Sequence, residues 1–106
     1  MKIKIKALSV NQVWAGRRFK TPAYKDYEKE MFVLLPKMKI PQGNLKLKII
    51  FGFSSKASDI DNPCKPMIDI LSKVYGFNDK NIYRLDLEKK IVKKGAEFID
   101  FFIEKL

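Results

Sequence analysis

The segment from Leu45 to Phe53 constrains the fold more than any other part of the sequence. Its apolar residues occupy alternate positions, with lysines between the first of them. A period of two places successive side chains on opposite faces of a β-strand, so the segment predicts a strand with one buried face. That buried face needs a covering layer, and segments with helical periodicity precede and follow it.

The remaining pattern predicts two helices and three further strands. Lys2 to Leu8 alternates charged and apolar residues, Thr21-Pro22 is typical of a helix start, and Gly76 is typical of a helix end. The expected elements are strands at 2–8, 45–53, 83–88 and 97–104 and helices at 22–35 and 63–75. The order β-α-β-α-β-β predicts one α+β domain over residues 1–106, a small mixed, mainly antiparallel sheet with two helices. We expect the last two strands to pair as a hairpin.

The charge balance favours a polyanionic partner. The chain has 22 Lys+Arg against 12 Asp+Glu, a net charge of +10, which exceeds what solubility requires of 106 residues. Nucleic acid is the main candidate. A ribosomal or chaperone-like basic domain and a lysine-rich solvated surface are the alternatives, and charge alone says nothing about catalysis.

Missing residue types narrow the chemistry. Without histidine there is no Ser-His-Asp triad, and one cysteine supports neither an internal disulfide nor a zinc cluster. The five glycines form no phosphate-binding motif, so we expect no nucleotide cofactor. No apolar run approaches the roughly 20 residues of a membrane span, and we expect no membrane partner and a cytoplasmic location. Carboxylates and lysines remain, and carboxylates suit Mg²⁺ or Mn²⁺.

Asp59 and Asp61 are the first candidate metal ligands. If the strand is still extended at Asp59, the two side chains point to the same side and can face one ion. Asn62 is a good N-cap and Pro63 a good first helical residue, so the pair would lie where a strand passes into a helix. An ordinary capping loop has the same pattern, and spacing alone leaves both interpretations open.

The next residues have both functional and structural interpretations. Lys65 and Asp69 are four apart and share a helix face, where Asp69 could orient Lys65, join the metal shell, or form an exposed ion pair. Cys64 falls on the apolar stripe and is expected to be a core residue rather than a nucleophile. Trp14 lies in a polar, basic loop and could stack on a base or cover the core.

Taken together, these residues resemble the RusA family of Holliday-junction resolvases. The resemblance rests on Asp59-Ile60-Asp61-Asn62-Pro63-Cys64-Lys65, then Asp69, then Gly76-Phe77-Asn78-Asp79. The family pattern is DxDNxxKxxxD followed by an aspartate after a short glycine-bearing loop. Ser9-Val10-Asn11-Gln12 also resembles the family's segment after the first strand. Two positions depart from the pattern: Asn78 replaces one of two adjacent aspartates, and Pro63 replaces a frequent leucine.

The resemblance implies a homodimeric, Mg²⁺-dependent DNA endonuclease, for which Mn²⁺ can substitute. Such enzymes cut four-way junctions by paired symmetric nicks in DNA recombination and repair, and many are encoded by prophages. Position by position, Asp59, Asp61 and Asp79 match metal-binding residues, and Lys65 matches the catalytic lysine. We expect the DNA contacts to be Asn11, Trp14, Arg17, Arg18, Lys20 and Lys65.

Two rival hypotheses use the same residues differently. In the first, the protein is a non-catalytic basic nucleic-acid-binding domain, whose aspartates are caps and surface ion pairs. In the second, it is a metal-dependent phosphoesterase that acts on small substrates or on flaps. Substrate preference and the effect of removing one carboxylate distinguish the three.

Overall fold

The computed structural model describes residues 1–15 and 19–106. Its strands are β1 (Lys2–Ile3), β2 (Trp14–Ala15), β3 (Phe19–Lys20), β4 (Leu45–Phe53), β5 (Ile82–Ile91) and β6 (Phe98–Lys105), and its helices are α1 (Pro22–Leu34) and α2 (Cys64–Tyr75). Short 3₁₀ turns cover Val10–Gln12 and Asp79–Asn81. The expected DNA contacts Arg17 and Arg18 lie outside the described residues.

One four-stranded sheet organises the fold, in the order β1-β6-β4-β5. β4 pairs in parallel with β5 and antiparallel with β6, and β6 pairs antiparallel with β1. A separate two-stranded ribbon joins β2 to β3. The expected α+β class, with two helices and a mixed, mainly antiparallel sheet, is confirmed.

The expected hairpin of the last two strands is wrong, because β4 lies between β5 and β6. Leu45, Leu47, Ile49 and Phe51 of β4 are at most 1% exposed. Backbone groups of so buried a strand cannot be hydrated, and pairing on both edges satisfies them. β5, whose side chains are more exposed, takes the edge of the sheet.

The first strand is shorter than expected. β1 covers only Lys2–Ile3, whereas the alternating pattern continues to Leu8. Ile5 is nevertheless buried and belongs to the core with Ile3. The alternation therefore predicted burial correctly but did not determine where pairing with β6 ends.

Both helices cover one face of the sheet. Tyr24, Tyr27 and Met31 of α1 and Met67 and Leu71 of α2 join the strand residues in one core cluster. The expected start of α1 and the expected end of α2 are confirmed: the Thr21 hydroxyl accepts a hydrogen bond from the Tyr24 amide at 3.1 Å, and Gly76 ends α2 at φ 72°. No helix in residues 1–15 or 19–106 is long and apolar enough to cross a membrane.

The opposite side of the sheet, which we call the outer face, is nearly neutral. The strand registers place there the apolar residues Ile50, Phe98 and Phe102, five basic residues (Lys2, Lys46, Lys48, Arg84 and Lys90) and four acidic ones (Asp86, Glu88, Asp100 and Glu104). Several are paired with each other, including Arg84 with Asp86 at 3.3 Å. The excess positive charge of the chain therefore lies elsewhere.

Gly52 is required by the close approach of Phe98 on the neighbouring strand. A Cβ atom at Gly52 would overlap the Phe98 ring. We expect Gly52→Ala to lower the free energy of unfolding by about 1–3 kcal/mol, the usual cost of overpacking, as measured by urea denaturation. In a Phe98→Ala background the same change should cost much less, and an equal cost in both backgrounds would contradict the steric explanation.

Candidate functional site

Lys65, in the first turn of α2, forms the centre of a charged cluster with Asp69 and Asp79. Its Nζ donates to Asp69 Oδ1 at 2.8 Å and to Asp79 Oδ2 at 3.3 Å. The hydrogen bond to Asp69 is the main cause that raises the pKa of Lys65 above its usual range, and the contact with Asp79 raises it further. We call Lys65, Asp69 and Asp79 the Lys65 cluster; its lysine stays an ammonium group at neutral pH.

The Lys65 cluster is open to solvent. The side chains of Lys65, Asp69 and Asp79 are 60%, 39% and 47% exposed. Ion pairs this exposed contribute at most about 1 kcal/mol to stability. A negatively charged group such as a phosphate can therefore approach the Lys65 ammonium from solution.

The chain between α2 and β5 places Asp79. Gly76 ends the helix in the left-handed conformation, and Asp79 then opens the 3₁₀ turn that precedes β5. Asn78 Oδ1 caps this turn by accepting from the Lys80 amide at 3.1 Å. The asparagine that departs from the family pattern thus has a local structural role.

Asp59 lies in the turn region after β4 and not in the strand, which ends at Phe53. The condition under which Asp59 and Asp61 would point to the same side, a strand that continues to Asp59, is therefore not met. One cause is Lys89, whose Nζ donates to the carbonyl oxygens of Lys56 and Ser58 and holds this stretch in a turn. The strand pattern could not reveal a contact with a residue about thirty positions away.

Asn62 does not cap α2, contrary to expectation. The helix begins at Cys64, Pro63 occupies the cap position, and no side chain caps it. Asn62 Nδ2 instead donates to Asp59 Oδ2 at 3.3 Å. The amide therefore orients one of the candidate metal ligands.

Asp61 and Cys64 lie at the start of α2. The Asp61 carbonyl accepts from the Cys64 amide at 3.1 Å, while the Asp61 side chain is exposed. Cys64 is 8% exposed, and burial, followed by the charge of Asp61, raises the pKa of its thiol. Cys64 is thus a protonated core residue, as the apolar stripe predicted.

A cleft of about 210 Å³ opens beside Asp59. Its lining residues are Lys6, Ala7, Ser9, Gln12, Phe53, Ser54, Ser55, Ser58, Asp59, Asn62, Pro63 and Glu97. Sequence reasoning missed Glu97, which accepts hydrogen bonds from the Ser54 hydroxyl at 2.9 Å and the Gly95 amide at 2.7 Å. Hydrogen bonds to the Glu97 carboxylate lower its pKa; the main one comes from the backbone N–H of Glu97 itself, followed by those from the Ser54 hydroxyl and the Gly95 amide. No sequence signal separated Glu97 from an ordinary strand start.

The expected DNA-contacting loop is attached to this region. The Val10 amide donates to the Asn62 carbonyl at 2.8 Å, which places exposed Asn11 beside the segment that holds Asp59. Trp14 is 50% exposed, and Lys20 Nζ lies 5.4 Å from the centre of its ring. Trp14 is therefore not part of the buried core, and its stacking on a base stays a prediction.

The structure joins some predicted site residues and not others. It brings Lys65 to Asp69 and Asp79 and fixes Asp59 against Asn62. Across residues 1–15 and 19–106, no three acidic or cysteine side chains form a group that could hold one metal ion. A shared site of Asp59, Asp61 and Asp79 therefore stays a prediction.

The chemistry of the donors nevertheless fits Mg²⁺. Asp59, Asp61 and Asp79 are exposed carboxylates, the hard oxygen ligands that this ion prefers. Protein sites for Mg²⁺ commonly supply one or two carboxylates, and water and substrate phosphates complete the shell. One or two of these aspartates would supply that number of carboxylates.

Comparisons with known proteins assign the chain to no family. No protein-family model matches the chain, and no curated protein is significantly similar to it.

Proposed function

We propose that this protein is a Mg²⁺-dependent, structure-specific DNA endonuclease that resolves four-way junctions by paired symmetric nicks in DNA recombination and repair. The observation that carries the proposal is the 3.3 Å contact between Lys65 and Asp79. It joins the Asp59–Asp69 segment to the Gly76–Asp79 loop, the two separate parts of the sequence pattern. A lysine beside carboxylates on an accessible surface suits phosphodiester cleavage.

Asp59 and Asp61, with Asp79, would hold the ion. When held there, Mg²⁺ would supply Lewis-acid chemistry, namely activation of a water and polarisation of the scissile phosphate. Asn62 would orient the Asp59 carboxylate through its 3.3 Å hydrogen bond. Mn²⁺, which also prefers oxygen ligands, would substitute.

Lys65 would act directly on the phosphate. Asp69 and Asp79 accept two of the three N–H bonds of its ammonium group, which leaves the third for a phosphate oxygen. Its positive charge would stabilise the negative charge that develops there during attack. Lys65 is in this role a catalytic residue, and Asp69 positions it.

The charge distribution favours DNA on the helix side of the sheet. The outer face has only one more basic than acidic residue, whereas the rest of the chain has seventeen basic and eight acidic residues. α2, which carries Lys65, packs on the helix side. Lysine and arginine contacts to phosphates would position the arms of a junction there, with Asn11, Trp14 and Lys20 at the edge of the site.

The main rival is a non-catalytic nucleic-acid-binding domain. The hydrogen bond from Asn62 to Asp59 and the exposed Lys65–Asp69 pair favour it, since both also occur as ordinary surface contacts. A metal-dependent phosphoesterase that acts on small substrates or flaps is the third candidate. Neither of these two requires preference for a four-way junction.

A cleavage assay separates the three functions. We expect Mg²⁺ or Mn²⁺ to support symmetric nicking of a synthetic four-way junction, with little cleavage of a flap or linear duplex of matched sequence. Binding should weaken by about tenfold or more between 50 and 200 mM salt, because phosphate contacts release counterions. Junction binding without cleavage would support the non-catalytic domain, and equal cleavage of flaps would support the phosphoesterase.

A further inference from the structure

β5 ends the sheet and offers an edge to a partner. Its ten residues pair with β4 on one side, and the described residues provide no strand on the other. The unpaired N–H and C=O groups of such an edge are a template for another strand. Tyr83, Leu85 and Ile91 of this strand are exposed apolar residues, 66%, 40% and 45% accessible.

A second copy is the partner best suited by charge. Molecules with a net charge of +10 repel each other, and the nearly neutral outer face makes the sheet the favourable surface for their approach. β5 itself carries Arg84, Asp86, Glu88, Lys89 and Lys90, so an antiparallel copy of the strand can supply complementary charges.

Symmetry limits how two copies of β5 can pair. When a residue lies opposite its own copy, the two-fold axis is perpendicular to the sheet, and both helix layers lie on the same side. No two-fold axis places the helix layers of an antiparallel pair on opposite sides, because reversing the strand and exchanging the two edges together leave the sheet face unchanged. Paired nicks require both sites to face one junction, and this use of the dimer rests on the proposed function.

Charges then select the register. An axis at any of the five charged residues of β5 opposes a charge to its own copy, and an axis at Leu87 opposes Asp86 to Glu88. An axis at Ile82, Tyr83 or Ile91 pairs at most three residues of each strand. An axis at Leu85 opposes Arg84 to Asp86 twice and leaves no like charges opposite each other within β5. Cross-strand pairs of opposite charge are favourable and like pairs unfavourable.

We propose that two copies of this chain associate through antiparallel pairing of β5, with Leu85 on the two-fold axis. The two four-stranded sheets become one eight-stranded sheet. Arg84 of each copy lies opposite Asp86 of the other, and both Lys65 clusters lie on the same side of the sheet.

Charge reversal tests the register. We expect the wild-type chain to form dimers in analytical ultracentrifugation at about 100 μM, and Arg84→Asp and Asp86→Arg to weaken dimerisation by about tenfold or more each. The double variant Arg84→Asp/Asp86→Arg should dimerise again, and so should an equimolar mixture of the two single variants. A wild-type monomer at this concentration, or single variants that dimerise normally, would overturn the proposal.

Leu85→Lys provides a second test, because it places two positive charges opposite each other on the axis. The variant should be folded by circular dichroism and monomeric by analytical ultracentrifugation. The control Val33→Lys changes a residue of α1 that is 84% exposed and should leave the dimer intact. If Leu85→Lys and Val33→Lys weakened dimerisation equally, pairing through β5 would be contradicted. Dimerisation is measured without DNA, so its failure is distinct from a failure of nuclease activity.

Discussion

Asp61→Asn is expected to reduce Mg²⁺-dependent cleavage of a four-way junction by about 100-fold or more, while junction binding is retained or becomes tighter. The amide has almost the same shape as the carboxylate but lacks the charge that would hold the metal. Even mutation of residues that only hydrogen-bond to metal ligands typically lowers metal affinity or activity by about 10–100-fold. Loss of a negative charge near the DNA should favour binding. Cleavage is measured by single-turnover kinetics and binding by titration without divalent ions.

Asp26→Asn is the matched control. It removes an exposed carboxylate from α1, outside the Asp59–Asp61 segment, with the same change in net charge. We expect its cleavage rate to stay close to that of the wild type. Normal cleavage by Asp61→Asn would remove Asp61 from the metal site, and equal losses in both variants would show only a general effect of charge.

The start of α1 and the end of α2 were predictable because local chemistry determines them. Thr21 accepts from the backbone amide of Tyr24, and Gly76 adopts the left-handed conformation that ends α2. Each signal lies within a few residues of the boundary that it sets. Strand order has no such local signal: the sequence does not say that β4 separates β5 from β6.

The candidate site was predictable only where its contacts are local. Lys65 and Asp69 are four residues apart on a helix, so their ion pair follows from helical geometry. The contact of Lys65 with Asp79 depends on how the chain returns from α2 to β5, and spacing does not determine that path. Glu97, the residue directly before β6, lines the cleft beside Asp59. No sequence motif identified it as a site residue.

Lys65→Met is the second change with a large expected effect. It keeps an unbranched side chain of similar length but removes the ammonium group that would stabilise the phosphate. Loss of one such electrostatic group typically slows a reaction by about 10²–10³-fold, and we expect a similar loss in the single-turnover cleavage rate. Lys65 is 60% exposed, so the free energy of unfolding should change by less than about 1 kcal/mol in urea denaturation.

Lys73→Met is the control on the same helix. Lys73 donates to Glu28 at 2.9 Å and is 56% exposed, so this variant also removes one charge and one surface ion pair. Both variants should weaken DNA binding to a similar, small degree because both lose one positive charge. Only Lys65→Met should slow cleavage, and equal cleavage by the two variants would exclude a catalytic role for Lys65.

The Asp61→Asn/Lys65→Met double variant tests whether the two residues serve one chemical step. If Asp61 helps to hold the metal while Lys65 stabilises the same phosphate, each single variant already disables that step, and the second change should cost little more. The double variant should therefore cleave about as slowly as the slower single variant. Losses that multiply would instead indicate that Asp61 and Lys65 act independently, and the proposed common site would have to be divided.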